Sequence, residues 1–244
     1  MKLPAEEKAR LEQLCSQFRI DLIETLHARQ TGHPGGSLSL CEILSVLYFE
    51  EMNVDPANPK MADRDRMVLC KGHAAPILYR ILAEKGFFPV EEMATLRCFE
   101  TRLQGHPCPL ETPGVDAATG PLGIGLSAAL GMSMALKMDN SPARVYAILG
   151  DGEINEGTVW EALMAAVKFK AFGWNTIECD GHDLDSVYEA VQTAKTVKGV
   201  PTIILAHTVK GKGVSFMEGK NAWHGKPIND EEYALAMAEL GGAK

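Results

Sequence analysis

Apolar residues recur at helical spacing from the start of the chain: Leu11, Leu14, Phe18, Leu22 and Leu26 share one side of an amphipathic helix predicted from Ala5 to about Ala28. Leu38, Cys41, Leu44 and Leu47 mark a mostly buried helix over Leu38 to Tyr48, closed by a loop at Pro56 and Pro59. The pattern then changes to short, nearly continuous apolar runs, the signature of strands buried on both faces of a parallel sheet. Such runs lie at Arg66–Cys70, Val145–Leu149, Thr176–Cys179 and Thr202–Ala206. Between and after them, helices are predicted over Ala74–Lys85, Leu126–Met138, Thr158–Lys170 and Leu184–Val197, with Gly131 and neighbouring serines suited to close helix contacts. Thr101–Gly123, rich in Gly and Pro, reads as a long ordered loop, a kind of segment that is usually functional. The alternation predicts an α/β fold: a helix-flanked, mainly parallel sheet in one domain over residues 1–244.

Composition narrows the function. Hydrophobic content of 46% and charged content of 23% are those of a globular protein. The formal charge of −8, with Lys and Arg scattered, argues against nucleic acid or an anionic membrane as partner. No apolar run reaches the roughly 20 residues of a membrane helix, and the N-terminus has no signal-peptide core, so a cytoplasmic protein is expected. The six cysteines form no Cys-x-x-Cys pair and read as buried hydrophobes in a reducing compartment; pairing of Cys98 with Cys108 is conceivable from spacing but has no other support.

The chemistry concentrates in turns. Gly150-Asp151-Gly152-Glu153 follows the second apolar run and precedes a helical pattern. Glycines allow close backbone approach to a ligand, and the N–H groups and dipole of a following helix favour an anion. Asp151 would repel a bare phosphate, so a hard divalent cation bridging carboxylate and diphosphate is the reading that accommodates it; the alternative is an ordinary strand–turn–helix corner with a solvated Asp. Four further segments each place a His in a Gly/Pro turn: Thr31-Gly32-His33-Pro34-Gly35-Gly36-Ser37, Lys71-Gly72-His73, Gly105-His106-Pro107 with Thr119-Gly120-Pro121-Leu122-Gly123, and Trp223-His224-Gly225-Lys226-Pro227.

In this order and spacing, from about Glu7 to Asp230, the chain resembles the N-terminal half of transketolase, the domain that grips the diphosphate of thiamine diphosphate. The resemblance implies a diphosphate-binding fold, Mg²⁺ or Ca²⁺ held by Asp151, and a backbone N–H from Gly152 to phosphate. His73 and His224 would contact the diphosphate or move protons near it, and His33 and His106 would hold hydroxyls of a ketose donor, with His224 beside them. Gly120, Pro121, Leu122, Gly150, Glu153 and Lys210 would line the cofactor, Leu122 lying against its ring. Glu156 would meet the opposite subunit next to the catalytic carboxylate. Glu153 could equally be a charge favourable to the helix dipole, and Lys71, Lys210 and Lys226 could be solvated surface lysines.

Two departures shape the expectation. Relatives carry a further strand, ending in an Asn ligand for the metal, after the helix that follows Gly-Asp-Gly; here Lys170 runs straight into Ala171, as if a strand and loop were missing between 170 and 171. Asn175 matches the strand beyond and is not assigned as a ligand. The chain also stops at Lys244, before the pyrimidine-binding domain that supplies the activating glutamate. The resemblance therefore implies the diphosphate-binding subunit of a split transketolase. It would move a two-carbon ketol unit from a ketose phosphate to an aldose phosphate together with a C-terminal partner chain, as a dimer or heterotetramer. The alternatives are the equivalent subunit of another thiamine diphosphate enzyme, or a non-catalytic relative with impaired cofactor binding.

Overall fold

The computed structural model describes residues 2–166 and 173–242. Helix α1, Ala5–Ala28, buries Leu11, Cys15, Phe18, Leu22, Ile23 and Leu26 along one face, with Glu6 and Glu7 in its first turn facing the positive end of the dipole. The second predicted helix is interrupted. It starts early, as α2 (Pro34–Leu38) with Pro34 in the first turn, breaks at Ser39 and Leu40, and resumes as α3 (Cys41–Val46) before a π-helical turn over Leu47–Glu51. Ser39 Oγ and the Leu40 N–H bond back to the carbonyls of Gly36 and Ser37, which closes α2 instead of extending it.

Strand β1 is Arg66–Leu69, followed by a 3₁₀ turn at Gly72–Ala74 and α4, Ala75–Lys85, which stops at Gly86 in a left-handed cap. From Gly86 to Gly123 the only regular element is a 3₁₀ stretch at Val90–Thr95, so the long loop expected over Thr101–Gly123 is present. Helix α5 is Ile124–Met138, β2 is Val145–Ile148 and α6 is Gly157–Ala166; the remainder of the helix predicted to Lys170, and the junction with Ala171, lie outside the described residues. Strand β3, Asn175–Asp180, helix α7, Leu184–Thr196, and strand β4, Thr202–His207, follow. Helix α8, Asp230–Leu240, has no counterpart among the predicted elements, although Asn229 and Glu232 form a reciprocal capping box at its start.

The expected single sheet is two parallel pairs among the described residues. β1 pairs with β2, Arg66 opposite Val145 through Leu69 opposite Ile148, and β3 pairs with β4, Asn175 opposite Thr202 through Asp180 opposite His207. β2 is correspondingly only half-buried, where its apolar sequence predicted full burial. The main core lies among α1, α3, α4 and α7, while a smaller cluster of Val68, Cys70, Leu126, Ala129, Val159, Ala162 and Leu163 joins the other face of β1 to α5 and α6. Among the described residues nothing lies within 4 Å of a Cβ placed on Gly131, so the close contact expected of it is not made by them.

One buried polar knot joins the β3–β4 unit to the helices. The Glu42 carboxylate on α3 accepts from Arg19 Nη2 of α1 at 2.5 Å and faces His182 Nδ1, beyond β3, at 3.0 Å. His182 Nε2 accepts the Val209 N–H beyond β4 at 2.8 Å, so the imidazole is neutral with its proton on Nδ1. Burial alone would raise the Glu42 pKa, but His182 and Arg19 together hold it below the usual carboxylate value. Replacing Glu42 by Ala leaves Arg19 buried without its anion. Urea unfolding should show a loss of about 3–5 kcal/mol, the cost of breaking one side of a buried pair; a loss under about 1 kcal/mol would mean that the knot is solvent-screened.

Candidate functional site

Loops from five parts of the chain meet beyond the carboxyl ends of β1 and β2, where ligands of open α/β folds sit. Backbones touch there at glycines. A Cβ on Gly32 would lie 2.1 Å from the Gly225 carbonyl oxygen, and one on Gly72 would lie 2.8 Å from that of Thr119. These approaches bring His33, His73 and His224 into one cluster, with ring centroids 5.4 Å apart for His33–His73, 5.7 Å for His33–His224 and 4.7 Å for His73–His224. His106 packs over Gly120 and acts electrostatically on His33 and His73, so all four histidines singled out in the sequence converge.

Burial pushes the His33 pKa down to about 4, aided by Arg97, His224 and His106. Burial likewise brings His73 to about 4, with His224, His33 and Lys71 adding to the effect. Both rings are neutral at pH 7 and can donate through one nitrogen and accept through the other. His33 has a left-handed backbone, φ 78°, an uncommon conformation for a non-glycine residue and one that concentrates at functional sites.

Around the histidines stand cations. Lys71 lies beside Gly150 and within electrostatic range of Asp151, Lys210 and Glu153; burial brings its pKa down to about 8, against the pull of Asp151. Lys210 packs its stem against Gly35, and the adjacent Gly211 N–H donates to the Gly35 carbonyl at 3.0 Å. Lys226 stacks on the Trp223 ring, 4.6 Å from its centroid, and pairs with Glu232 at the surface.

Asp151 and Gly152 are exposed at the end of β2, but the helix does not begin there: a 3₁₀ turn at Glu153–Asn155 intervenes before α6. Glu153 faces inward. It is 2% exposed, and its two carboxylate oxygens accept the N–H groups of Gly123, at 2.9 Å, and Gly150, at 3.1 Å. It fastens the Gly120–Gly123 turn to the Gly150 turn, a role different from the dipole charge or cofactor contact read from sequence. Pro121, Leu122 and Glu156 are exposed on this side, and Leu122 touches no described core cluster.

Two residues that sequence reasoning does not single out line the same turns. Ser37 Oγ and Thr119 Oγ1 are buried with no hydrogen-bond partner among the described residues, the condition of polar groups that a ligand completes. Both stand inside motifs already marked by their histidine or glycines, which is the available signal. Arg97, just after the 3₁₀ stretch Val90–Thr95, reaches the site with no motif to announce it.

Neutral imidazoles, lysines and unpaired hydroxyls suit a polyanion. A metal ion alone does not fit: among the described residues no three His, Cys, Asp or Glu side chains are grouped to hold one. Asp151 supplies a single free carboxylate at the end of β2.

Residues 11–168 and 164–243 match the family described as transketolase, thiamine diphosphate binding domain. The chain is 40% identical to the 6-deoxy-6-sulfo-D-fructose transketolase subunit of a Clostridium species, covering 97% of this chain and 98% of that protein. It is 36% identical to one subunit of the apulose-4-phosphate transketolase of Phocaeicola vulgatus, covering 94% and 93% respectively. Against mouse transketolase, 39% identical, it covers 92% of itself and only 41% of the relative. The Leishmania mexicana transketolase structure superposes with a TM-score of 0.87 at 27% identity over 95% of this chain and 41% of that one. The Clostridium alignment spans 269 positions against 244 residues here, so at least 25 positions of the relative have no counterpart.

The depressed histidines fix a pH dependence. Each has a folded pKa near 4 against an ordinary value of 6.5, so the unfolded chain binds more protons in between. Their contribution to stability is complete above pH 6.5 and should be lost as the pH falls toward 4. Urea midpoints across this range should drop and should flatten in a His33→Gln, His73→Gln double variant; equal slopes in both proteins would show that the two rings titrate normally.

Proposed function

The chain belongs to the transketolase family, whose thiamine diphosphate-binding domain it spans, and we propose that it serves as the diphosphate-binding subunit of a two-chain transketolase. The observation that carries this reading is the convergence of four histidines beyond the strand ends, in turns that also hold two buried, unpaired hydroxyls, Ser37 and Thr119. Relatives covered over 98% and 93% of their length are named as transketolase subunits, which supports assembly with a second chain carrying the pyrimidine-binding domain.

Thiamine diphosphate, when bound, supplies the carbon nucleophile for ketol transfer. The chain's own residues then have separable tasks. Ser37, Thr119, His73, His224, Lys71 and Lys210 hold the diphosphate, and the backbones of Gly120, Gly150 and Gly152 allow its close approach. Leu122 and Pro121 give the thiazolium an apolar wall. Asp151 would hold Mg²⁺ or Ca²⁺ beside the diphosphate, the cation supplying charge neutralisation there. His33 and His106 orient donor hydroxyls, and His224 serves both ends. The relatives act, by name, on 6-deoxy-6-sulfo-D-fructose and apulose-4-phosphate, so sulfonated and phosphorylated ketoses both belong among the donors to test.

The partner's seat is the apolar face of α5 and α6. Ile124, Met134, Met138, Trp160 and Met164 are 45, 54, 80, 51 and 55% exposed, and a patch of this kind is a feature of interaction surfaces. Glu156, exposed at the start of α6, adjoins it. We place the assembly, a dimer or heterotetramer, in the cytoplasm, in keeping with six unpaired cysteines.

A second reading is a non-catalytic relative. It draws on the positions missing against the Clostridium subunit, which we assign to the junction after Lys170, and on the lone carboxylate at the metal position.

Mixing the chain with a C-terminal transketolase subunit, thiamine diphosphate and Mg²⁺ should yield ketol transfer from a ketose phosphate to an aldose phosphate in a coupled assay. An assembled but inactive mixture that fails to bind the cofactor by calorimetry favours the second reading. Asp151→Asn should weaken cofactor binding in Mg²⁺ at least about tenfold and erase its magnesium dependence; unchanged calorimetry would remove Asp151 from the metal.

A further inference from the structure

Arg97 is the one strongly basic group near the histidine cluster that no motif marks, and its surroundings are unusual. It is half-buried, yet among the described residues its guanidinium makes no ion pair with a carboxylate. Its hydrogen bonds go instead to the site's own turns. Nη1 donates to Thr31 Oγ1 and, at 3.2 Å, to the Gly32 carbonyl; Nη2 donates to the Gly105 carbonyl at 3.3 Å and lies 3.3 Å from His33 Nδ1. Its backbone is itself left-handed, φ 59°, and is held by the Arg97 N–H donating to the Leu103 carbonyl at 2.8 Å.

We propose that Arg97 is a positioning residue that clamps the His33 turn to the His106 turn and fixes His33 in the tautomer protonated on Nε2. An arginine can only donate, so the nitrogen it faces must be the acceptor, and the ring's single proton is left on the other nitrogen. One planar fork therefore does two things. It sets the spacing between Gly32-His33 and Gly105-His106, and it presents His33 as a hydrogen-bond donor to whatever lies in the cluster. The bonds to Thr31 and Gly32 also offset the cost of the left-handed backbone at His33. Charge works in the same direction. Arg97, His106, His73 and His224 surround the ring, with no carboxylate bonded to it; burial, Arg97, His224 and His106 oppose its protonation and outweigh the one group that favours it, the Gly32 backbone. The consequence for turnover rests on the transketolase reading; the tautomer does not.

The test begins on this chain alone, labelled with ¹⁵N-histidine, using two-bond ¹H–¹⁵N spectra. His33 should appear as the Nε2–H tautomer with a midpoint far below 6.5, and an Nδ1–H tautomer in the unaltered protein overturns the proposal outright. Arg97→Met should give a mixture of tautomers and raise the His33 midpoint by at least one pH unit, while His182, distant on α7's side of the fold, keeps its signals. Should that variant not fold, Arg97→Gln is decisive: it stays polar but is uncharged and can accept as well as donate, so a tautomer mixture supports the clamp and an unaltered His33 overturns it. In the assembled enzyme, Arg97→Met should lower kcat/KM for the ketose donor at least tenfold with calorimetric affinity for thiamine diphosphate within twofold, and added guanidinium should restore part of the loss. Unaltered His33 spectra refute the clamp even if ketol transfer is found, whereas absent ketol transfer with the expected spectra refutes only the functional reading.

Discussion

The site depends on backbone meeting backbone between segments almost two hundred residues apart. Gly32 lies against Gly225 so closely that a single methyl group would overlap the carbonyl, and that approach is what sets the His33 and His224 rings within 6 Å of each other. Once the rings are that near, the electrostatics follow. An imidazolium at His33 or His73 would face other imidazoles and a cation in a partly desolvated space, so these two rings stay neutral and act as hydrogen-bond groups instead of charges.

The same logic of shared anchors extends outward. Glu153 turns away from solvent to bind two turns at once through Gly123 and Gly150, leaving Asp151 as the carboxylate at the strand end that stays free. The Glu42 knot does this for the other half of the fold. By fixing His182 it holds the Val209 N–H, and the next residues place Lys210 against α2 through the Gly211–Gly35 hydrogen bond. A polar contact far from the ligand face thus determines where one of its lysines stands.

Much of this is legible in the sequence because the signals are local. The α1 periodicity, the four strand runs and the Gly/Pro turns each declare themselves within a few residues, and their bounds in the structure differ by only one or two. The interrupted α2–α3 pair escapes prediction because hydrophobic spacing carries through Ser39 and Leu40 while side-chain and turn hydrogen bonds stop the helix. The split sheet escapes it because an apolar run specifies a strand and says nothing about how many neighbours it finds. Ser37 and Thr119 lie within the histidine and glycine motifs but become meaningful only when burial shows them unpaired, and Arg97, 64 residues from His33, carries no local pattern at all.

The incomplete pairing of the sheet bears on how a cofactor would be held. β2 delivers the Gly150–Gly152 turn, yet it is half-buried and hydrogen-bonded on one side only among the described residues, so the turn is positioned chiefly by β1 and by the inward-facing Glu153. With one carboxylate at that turn, a divalent ion gains too little from the protein alone to shed its water. On the proposed reading it would gain enough only with a diphosphate that brings charged oxygens of its own, and the diphosphate would in turn call on Lys71 and Lys210 to offset its charge in a chain whose net charge is −8. Cofactor, metal and lysines would then be mutually dependent and their binding cooperative in the physical sense: each partner would remove a repulsion or a desolvation cost that otherwise keeps the others out.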